Sequence, residues 1–219
     1  MKNKTSGVKL AMYFSTALIA LGGLYIILIA WGLITADPAT GMIQNDKKIL
    51  MEITTILSSI LLLLFFTSIH FFIEPRNIFF SFLSIIFMSF STVLTCCVHF
   101  ISITVADKIL MANELLTPIL SMGWPSVLLS IDILSWDFFF GLAILFLGIG
   151  LFENENQRKT AVLMLLSGIF SLFGLIALPL DNMNIRYIGV FGYTLLPVIV
   201  CIYFNFAMKK NSMIIPIDS

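Results

Sequence analysis

The chain has 219 residues, of which 59% are hydrophobic and only 11% are charged. Soluble domains carry about 25% charged residues, so a water-soluble fold with this composition would expose large apolar patches. The 12 basic and 12 acidic residues cancel, which leaves no positive potential to attract a nucleic acid. The composition therefore predicts an integral membrane protein whose main partner is the lipid bilayer, and it excludes a nucleic-acid-binding protein.

Six apolar stretches are long enough to cross a bilayer as helices, which takes about 20 residues. They cover roughly residues 8–34, 50–73, 78–105, 126–152, 159–180 and 186–208. The charged residues lie almost entirely between the stretches, as the cost of a charge in lipid predicts. No linker or low-complexity segment divides the chain. We therefore expect an all-α, polytopic membrane protein in which residues 1–219 form a single domain, a bundle of six transmembrane helices.

The distribution of basic residues predicts the orientation of the bundle. With six spans the two termini share a side, and that side receives eight basic residues, whereas the other side receives Lys47, Lys48, Lys108 and Arg186. The excess of basic residues marks the cytoplasmic side. We therefore expect both termini in the cytoplasm of a bacterial or archaeal cell, with the two longest connections, 35–49 and 106–125, outside.

The second long connection contains the sequence "DKILMANELLTPILSMGWP", residues 107–125. Apolar Ile109, Leu116 and Ile119 recur in it at helical spacing between charged residues, which is typical of a helix that lies in the membrane interface. The sequence predicts a short outer helix between the third and fourth spans that ends near Pro118. An ordered loop is the alternative.

Small and polar residues at helical spacing mark the helix faces that pack together, because lipid provides no hydrophobic attraction between helices. The third stretch has Ser91, Thr95 and His99 on one such face. The fourth stretch has a corresponding face of small residues that also contains Asp137. We expect these faces to point into the bundle, and they are also candidate surfaces for homo- or hetero-oligomers.

Asp132 and Asp137 are carboxylates inside the fourth stretch. Asp132 is predicted to lie at the depth of His99 on the neighbouring antiparallel helix, within reach of His99 or Arg186. Five residues turn an α-helix by about 500°, so the two aspartates would point about 140° apart and have separate partners. Asp137 is expected among the hydroxyl groups of the third stretch, with no basic side chain in reach and mostly as the neutral acid.

The sequence gives little support for catalysis. Its only histidines are predicted near opposite sides of the membrane, His70 near the cytoplasmic side and His99 near the outer side, and a zinc site needs three or four converging ligands. The chain has no C-x-x-C motif and no G-x-S-x-G nucleophile turn. We therefore predict no catalytic residue, no metal ligand and no cofactor, and an enzyme is not favoured.

The polar residues predict a cavity that opens outward between the second, third, fourth and sixth helices. Its candidate residues are Glu52, Ser91, Thr95, His99, Ser130, Asp132, Asp137 and Tyr193. Intramembrane ionisable groups generally line solute or proton pathways, so the first hypothesis is a protein that binds or passes a small solute or proton. The alternative is a non-catalytic membrane subunit, assembly factor or scaffold whose buried polar residues only hold helices together.

Overall fold

The computed structural model describes residues 2–35, 45–71 and 73–214, where most of the chain is helical and no strand is present. Residues 36–44 of the first long connection lie outside the described residues. Six helices are long and apolar enough to cross a membrane, which confirms the predicted all-α fold. They are α1 (Lys2–Ile34), α2 (Asn45–His70), α3 (Pro75–Ala112), α4 (Val127–Leu151), α5 (Glu155–Ala177) and α6 (Met183–Ile214).

Two of these helices contain a wide π-helical segment. In α3, regular α-helix over Ile78–Ile101 continues through a π segment at Ser102–Ala106 into a last α-helical part at Asp107–Ala112. In α4, a π segment at Leu134–Phe140 separates α-helical Val127–Ile133 from Gly141–Leu151. The core of α5 is α-helical over Arg158–Gly174, with 3₁₀ turns at Glu155–Gln157 and Leu175–Ala177.

The six helices form a ring in chain order. Each packs against the next along the chain, and α6 returns to pack against α1. Because successive helices are antiparallel, the bundle has two distinct ends. We name the end that carries the connection 113–126 the loop end, and the end that carries the start of α1 the terminus end.

The hydrophobic core fills the half of the bundle near the terminus end. Phe65 of α2 meets Phe204 of α6 edge to face, with ring centroids 5.2 Å apart, and both rings are fully buried together with Phe66 and Leu147. Dense packing of this kind leaves no room for solvent. Any open space inside the ring therefore lies in the half near the loop end.

The connection between α3 and α4 differs from its prediction. Helix α3 continues to Ala112, and Pro118 lies in the first turn of a short helix, Thr117–Leu120. A proline is compatible with the first turn because its missing N–H would have no partner within the helix. The short helix predicted between the third and fourth spans is therefore present, but Pro118 lies in its first turn and not at its end.

The small residues of α4, α5 and α6 face each other within the chain. A Cβ atom added to Gly168 would lie 2.7 Å from the backbone oxygen of Gly141, and one added to Gly192 would lie 2.7 Å from the backbone nitrogen of Ser171. These helices therefore approach too closely for larger side chains. The close approach places the first turns of α6 beside the π segment of α4.

Candidate functional site

A cavity of about 1290 Å³ occupies the loop half of the ring. Helices α1, α2, α3, α4 and α6 line it, together with residues 117–125 of the connection between α3 and α4. Most of its wall is apolar, with side chains such as Leu18, Ile29, Met51, Leu62 and Val198. The cavity is larger than the usual small-molecule site of about 300–1,000 Å³, but like such a site it has a mostly apolar lining with a few polar groups.

Charged side chains are concentrated on one wall of this cavity. Glu52, His99, Asp132 and Arg186 line it from α2, α3, α4 and α6, and Asp137 lies directly behind them. We name these five residues the charged cluster. The Arg186 side chain is only 14% exposed, and the other four members are buried. The cluster therefore lies in surroundings where an unpaired charge would be strongly destabilising.

Glu52 joins α2 to α3. Its Oε2 atom forms a hydrogen bond with His99 Nδ1, and its Oε1 atom accepts a hydrogen bond of 2.8 Å from Ser102 Oγ. His99 and Ser102 lie three residues apart on one face of α3, where the π segment begins. Both carboxylate oxygens of Glu52 are thus engaged by a single helix.

Asp132 contacts both partners that the sequence suggested for it. His99 Nε2 lies 3.3 Å from Asp132 Oδ1, and Arg186 Nη2 donates a hydrogen bond of 3.3 Å to Asp132 Oδ2. The two atoms of the histidine–aspartate contact are not aligned as a hydrogen bond, and neither has another partner among the described residues. Asp132 therefore links α3 to α6, but its Oδ1 atom accepts no hydrogen bond from the described residues.

Arg186 was expected near Asp132, but its contact with Asp137 was not predicted. Because α6 begins at Met183, three residues before the predicted start of the span, Arg186 belongs to the first turn of the helix and reaches into the bundle. Its Nε atom donates to Asp137 Oδ2 at 3.4 Å, and its Nη2 atom also donates to Tyr193 Oη at 3.2 Å. The expectation that Asp137 has no basic side chain in reach was wrong.

The π segment of α4 explains how one arginine reaches both aspartates. In a regular α-helix Asp132 and Asp137 would point about 140° apart. A π-helix forms i→i+5 hydrogen bonds, so residues five apart come to lie on nearly the same side of it. Leu134–Phe140 is π-helical, and the prediction of separate partners was wrong for this reason. Segments of this kind are frequent at functional sites.

Asp137 is fully buried, and only one of its oxygens is paired. Asp137 Oδ1 has no hydrogen-bond partner in the described part of the chain. It lies against Gly174 of α5 and Gly189 of α6, and a Cβ atom added to either glycine would overlap it. Asp137 therefore points into the bundle, as predicted, but its partner is Arg186 rather than a hydroxyl group.

The hydroxyl groups expected around Asp137 bind Ser135 instead. Thr95 Oγ1 and Ser135 Oγ form a hydrogen bond of 2.7 Å, and Ser135 Oγ lies 2.8 Å from the backbone oxygen of Ser91, to which it donates. All three side chains are fully buried. These contacts join α3 to α4 away from the cavity, so the predicted role of Ser91 and Thr95 as cavity residues is not supported by their position.

Ser130 is also separate from the charged cluster. Its side chain is exposed on the outside of α4 and donates a hydrogen bond of 2.7 Å to the backbone oxygen of Ser126. Of the eight predicted residues, Glu52, His99, Asp132 and Tyr193 line the cavity. Asp137 lies behind that wall.

Helix α1 contributes a cavity wall that was not predicted from the sequence. Gly22 and Tyr25 line the cavity, and Gly22 packs so closely on Val198 of α6 that an added Cβ atom would overlap it. Trp136 also lines the cavity and stacks on Tyr193, with ring centroids 5.6 Å apart. The sequence signal for this wall was Tyr25, a side chain with a polar hydroxyl, one turn from Gly22, a small residue that allows close helix packing.

Metal binding is not supported by the geometry. Within residues 2–35, 45–71 and 73–214, no group of three or more His, Cys, Asp or Glu side chains is arranged to hold a metal ion. In the charged cluster, Arg186 and His99 each contact carboxylate oxygens, and Asp132 Oδ1 and Asp137 Oδ1 accept no hydrogen bond from the described residues. His70 lies at the end of α2 and forms a hydrogen bond of 2.7 Å with Ser81.

Comparisons with protein-family models, with curated proteins and with solved structures find no significant match to this chain.

Proposed function

We propose that this membrane protein binds a small solute that enters the cavity from the loop end. The observation that carries the proposal is the position of the charged cluster on the cavity wall. Each charged residue at the centre of a membrane helix costs about 2.5–3.5 kcal/mol on insertion scales. The hydroxyl groups of Thr95 and Ser135 already join α3 to α4, so the contact between these two helices does not require charged residues. A binding role accounts for the cluster.

The packed terminus half supports binding in preference to an open pathway. Phe65, Phe66 and Phe204 fill the ring beneath the cavity. A solute that entered from the loop end would therefore stop near Leu62 and Cys201, which line the cavity about one turn before Phe65 and Phe204. Passage of a solute or proton to the other side would require these side chains to move. Binding is therefore the first step of either activity.

A scaffold with structural polar residues is the competing function. It accounts for the hydrogen bonds among Ser91, Thr95 and Ser135, which lie between helices. It does not account for a cavity of about 1290 Å³, because protein interiors that serve only packing are filled to the density of organic crystals.

Cysteine labelling tests whether the cavity is open to solvent. In a variant whose three native cysteines are replaced with alanine, Ser58→Cys should react readily with N-ethylmaleimide, because Ser58 lines the cavity. Ser59→Cys is the matched control: Ser59 is fully buried, and a cysteine in apolar surroundings is inert. Equal, slow labelling of both variants would refute the binding proposal and favour the scaffold.

A second labelling experiment tests the proposed orientation, in which the loop end lies outside the cell. Asn113 at the loop end and Asn156 at the terminus end are both exposed. In intact cells that express the cysteine-free protein, a membrane-impermeant maleimide should label Asn113→Cys and leave Asn156→Cys unlabelled. The reverse result would place the cavity mouth in the cytoplasm and overturn the orientation.

A further inference from the structure

We infer that the solute is a small hydrophobic cation, bound with its charge near Glu52 and Asp132 and its apolar part against the opposite wall. The inference rests on the proposed function and adds the chemical class of the solute. It stands on three features of the cavity: the charge balance of the cluster, its unpaired atoms and its aromatic lining.

The charged cluster has more acidic than basic groups. Three carboxylates, those of Glu52, Asp132 and Asp137, face one guanidinium and one imidazole. With the carboxylates ionised, negative charge exceeds positive charge even when His99 is protonated. A cleft with low-dielectric walls concentrates such a field, so with all three carboxylates ionised the cavity attracts a cation and repels an anion.

The basic groups on the cavity wall are already paired. Lys48 Nζ lies 2.6 Å from Asp107 Oδ1, and Arg186 is shared between Asp132 and Asp137. An anionic solute would have to compete with these carboxylates for each basic group. Asp132 Oδ1, by contrast, accepts no hydrogen bond from the described residues, although His99 Nε2 lies 3.3 Å from it and Asp132 is only 8% exposed. This oxygen is the acceptor that a cationic solute finds free.

The rest of the lining favours an organic cation over a hydrated metal ion. Tyr25, Trp136 and Tyr193 line the cavity, and the faces of aromatic rings attract organic cations through the ring quadrupole. The apolar side chains opposite, which include Leu18 and Leu62, would bury the hydrocarbon part of the solute. A hydrated ion would gain nothing from this surface.

Two probe ions of matched shape and opposite charge test the inference on the native protein. Tetraphenylphosphonium and tetraphenylborate are added in separate equilibrium-dialysis experiments to the full-length protein in detergent micelles, because the two ions associate with each other. The Ser58→Trp variant, whose cavity is filled by the new side chain, gives the amount of each ion that partitions into the micelle alone. The Leu57→Trp variant carries the same side chain on the lipid-exposed face of α2 and should bind each ion as the native protein does. We expect saturable binding of the cation at least about tenfold tighter than that of the anion.

Single neutral substitutions identify the charges responsible. Glu52→Gln and Asp132→Asn should each weaken cation binding about tenfold, whereas Glu153→Gln, an exposed carboxylate at the terminus end, should not change it. Equal binding of the two ions, tighter binding of the anion, or no binding of either would overturn the inferred cation. If Ser58→Cys is nevertheless labelled, the binding proposal stands and only the solute class is wrong. If Ser58→Cys is not labelled, the proposed function itself fails.

Discussion

Replacing Arg186 with methionine is expected to lower the free energy of unfolding by about 3–5 kcal/mol, the cost of leaving one partner of a buried ion pair uncompensated. Arg186 is bonded to Asp132, Asp137 and Tyr193. Its loss leaves two buried carboxylates without the guanidinium that holds α6 against α4. The measurement is an SDS titration of the purified protein in mixed micelles.

A control and a rescue variant separate charge from packing. Arg76→Met removes an arginine whose side chain is 62% exposed and paired with Glu74 and Glu153; an exposed pair contributes only about 0–1 kcal/mol. In a protein that already carries Asp132→Asn and Asp137→Asn, Arg186→Met should lower the free energy of unfolding much less, because removing all members of a buried ionic group together changes stability little. An equal cost in both backgrounds would show that Arg186 acts through packing alone.

The fold could be predicted because lipid imposes it. A membrane span needs about 20 apolar residues, and only helices satisfy their own backbone hydrogen bonds there, so six stretches sufficed to predict the six helices. The inward direction of Asp137 also followed from the sequence, since the small residues on its face allow close packing. These inferences need only length, composition and regular helical spacing.

The arrangement of the charged cluster could not be predicted, because it depends on a departure from regular spacing. Asp132 and Asp137 share Arg186 only because Leu134–Phe140 is π-helical, and nothing in the hydrophobic pattern of α4 marks a wider turn. Arg186 itself stands at the edge of an apolar stretch. Whether an arginine there faces water or folds inward depends on where the helix begins, and helix ends are the least certain part of a sequence reading.

The cavity shows a second limit of sequence reasoning. A sequence does not show whether an apolar side chain of a membrane helix faces lipid or lines a cavity. Leu18 and Ile29 of α1 line the cavity. The polar residues predicted part of the wall, which is why Glu52 and His99 were found. The apolar part, which makes up most of the cavity wall, could be located only in three dimensions.

Gly174 and Gly189 connect the packing of α5 and α6 to the charged cluster. Both lie against Asp137 Oδ1, and a Cβ atom added to Gly174 would also lie 2.9 Å from the Cα atom of Gly189. The position of Asp137 relative to Arg186 therefore depends on these two small residues. A methyl group at Gly174 should displace Asp137 without altering any charge.

Gly174→Ala is accordingly expected to lower the free energy of unfolding by about 1–3 kcal/mol, the usual cost of overpacking, and to weaken binding of tetraphenylphosphonium. Gly23→Ala is the matched control: a Cβ atom there meets no described atom within 4 Å, and alanine is favoured over glycine in a helix by about 1 kcal/mol. Stability would be measured by the same SDS titration. In an Asp137→Ala background the cost of Gly174→Ala should fall, because the overlapping oxygen is gone and the two changes are coupled. If Gly174→Ala is as harmless as Gly23→Ala, Asp137 is not held in place by these glycines.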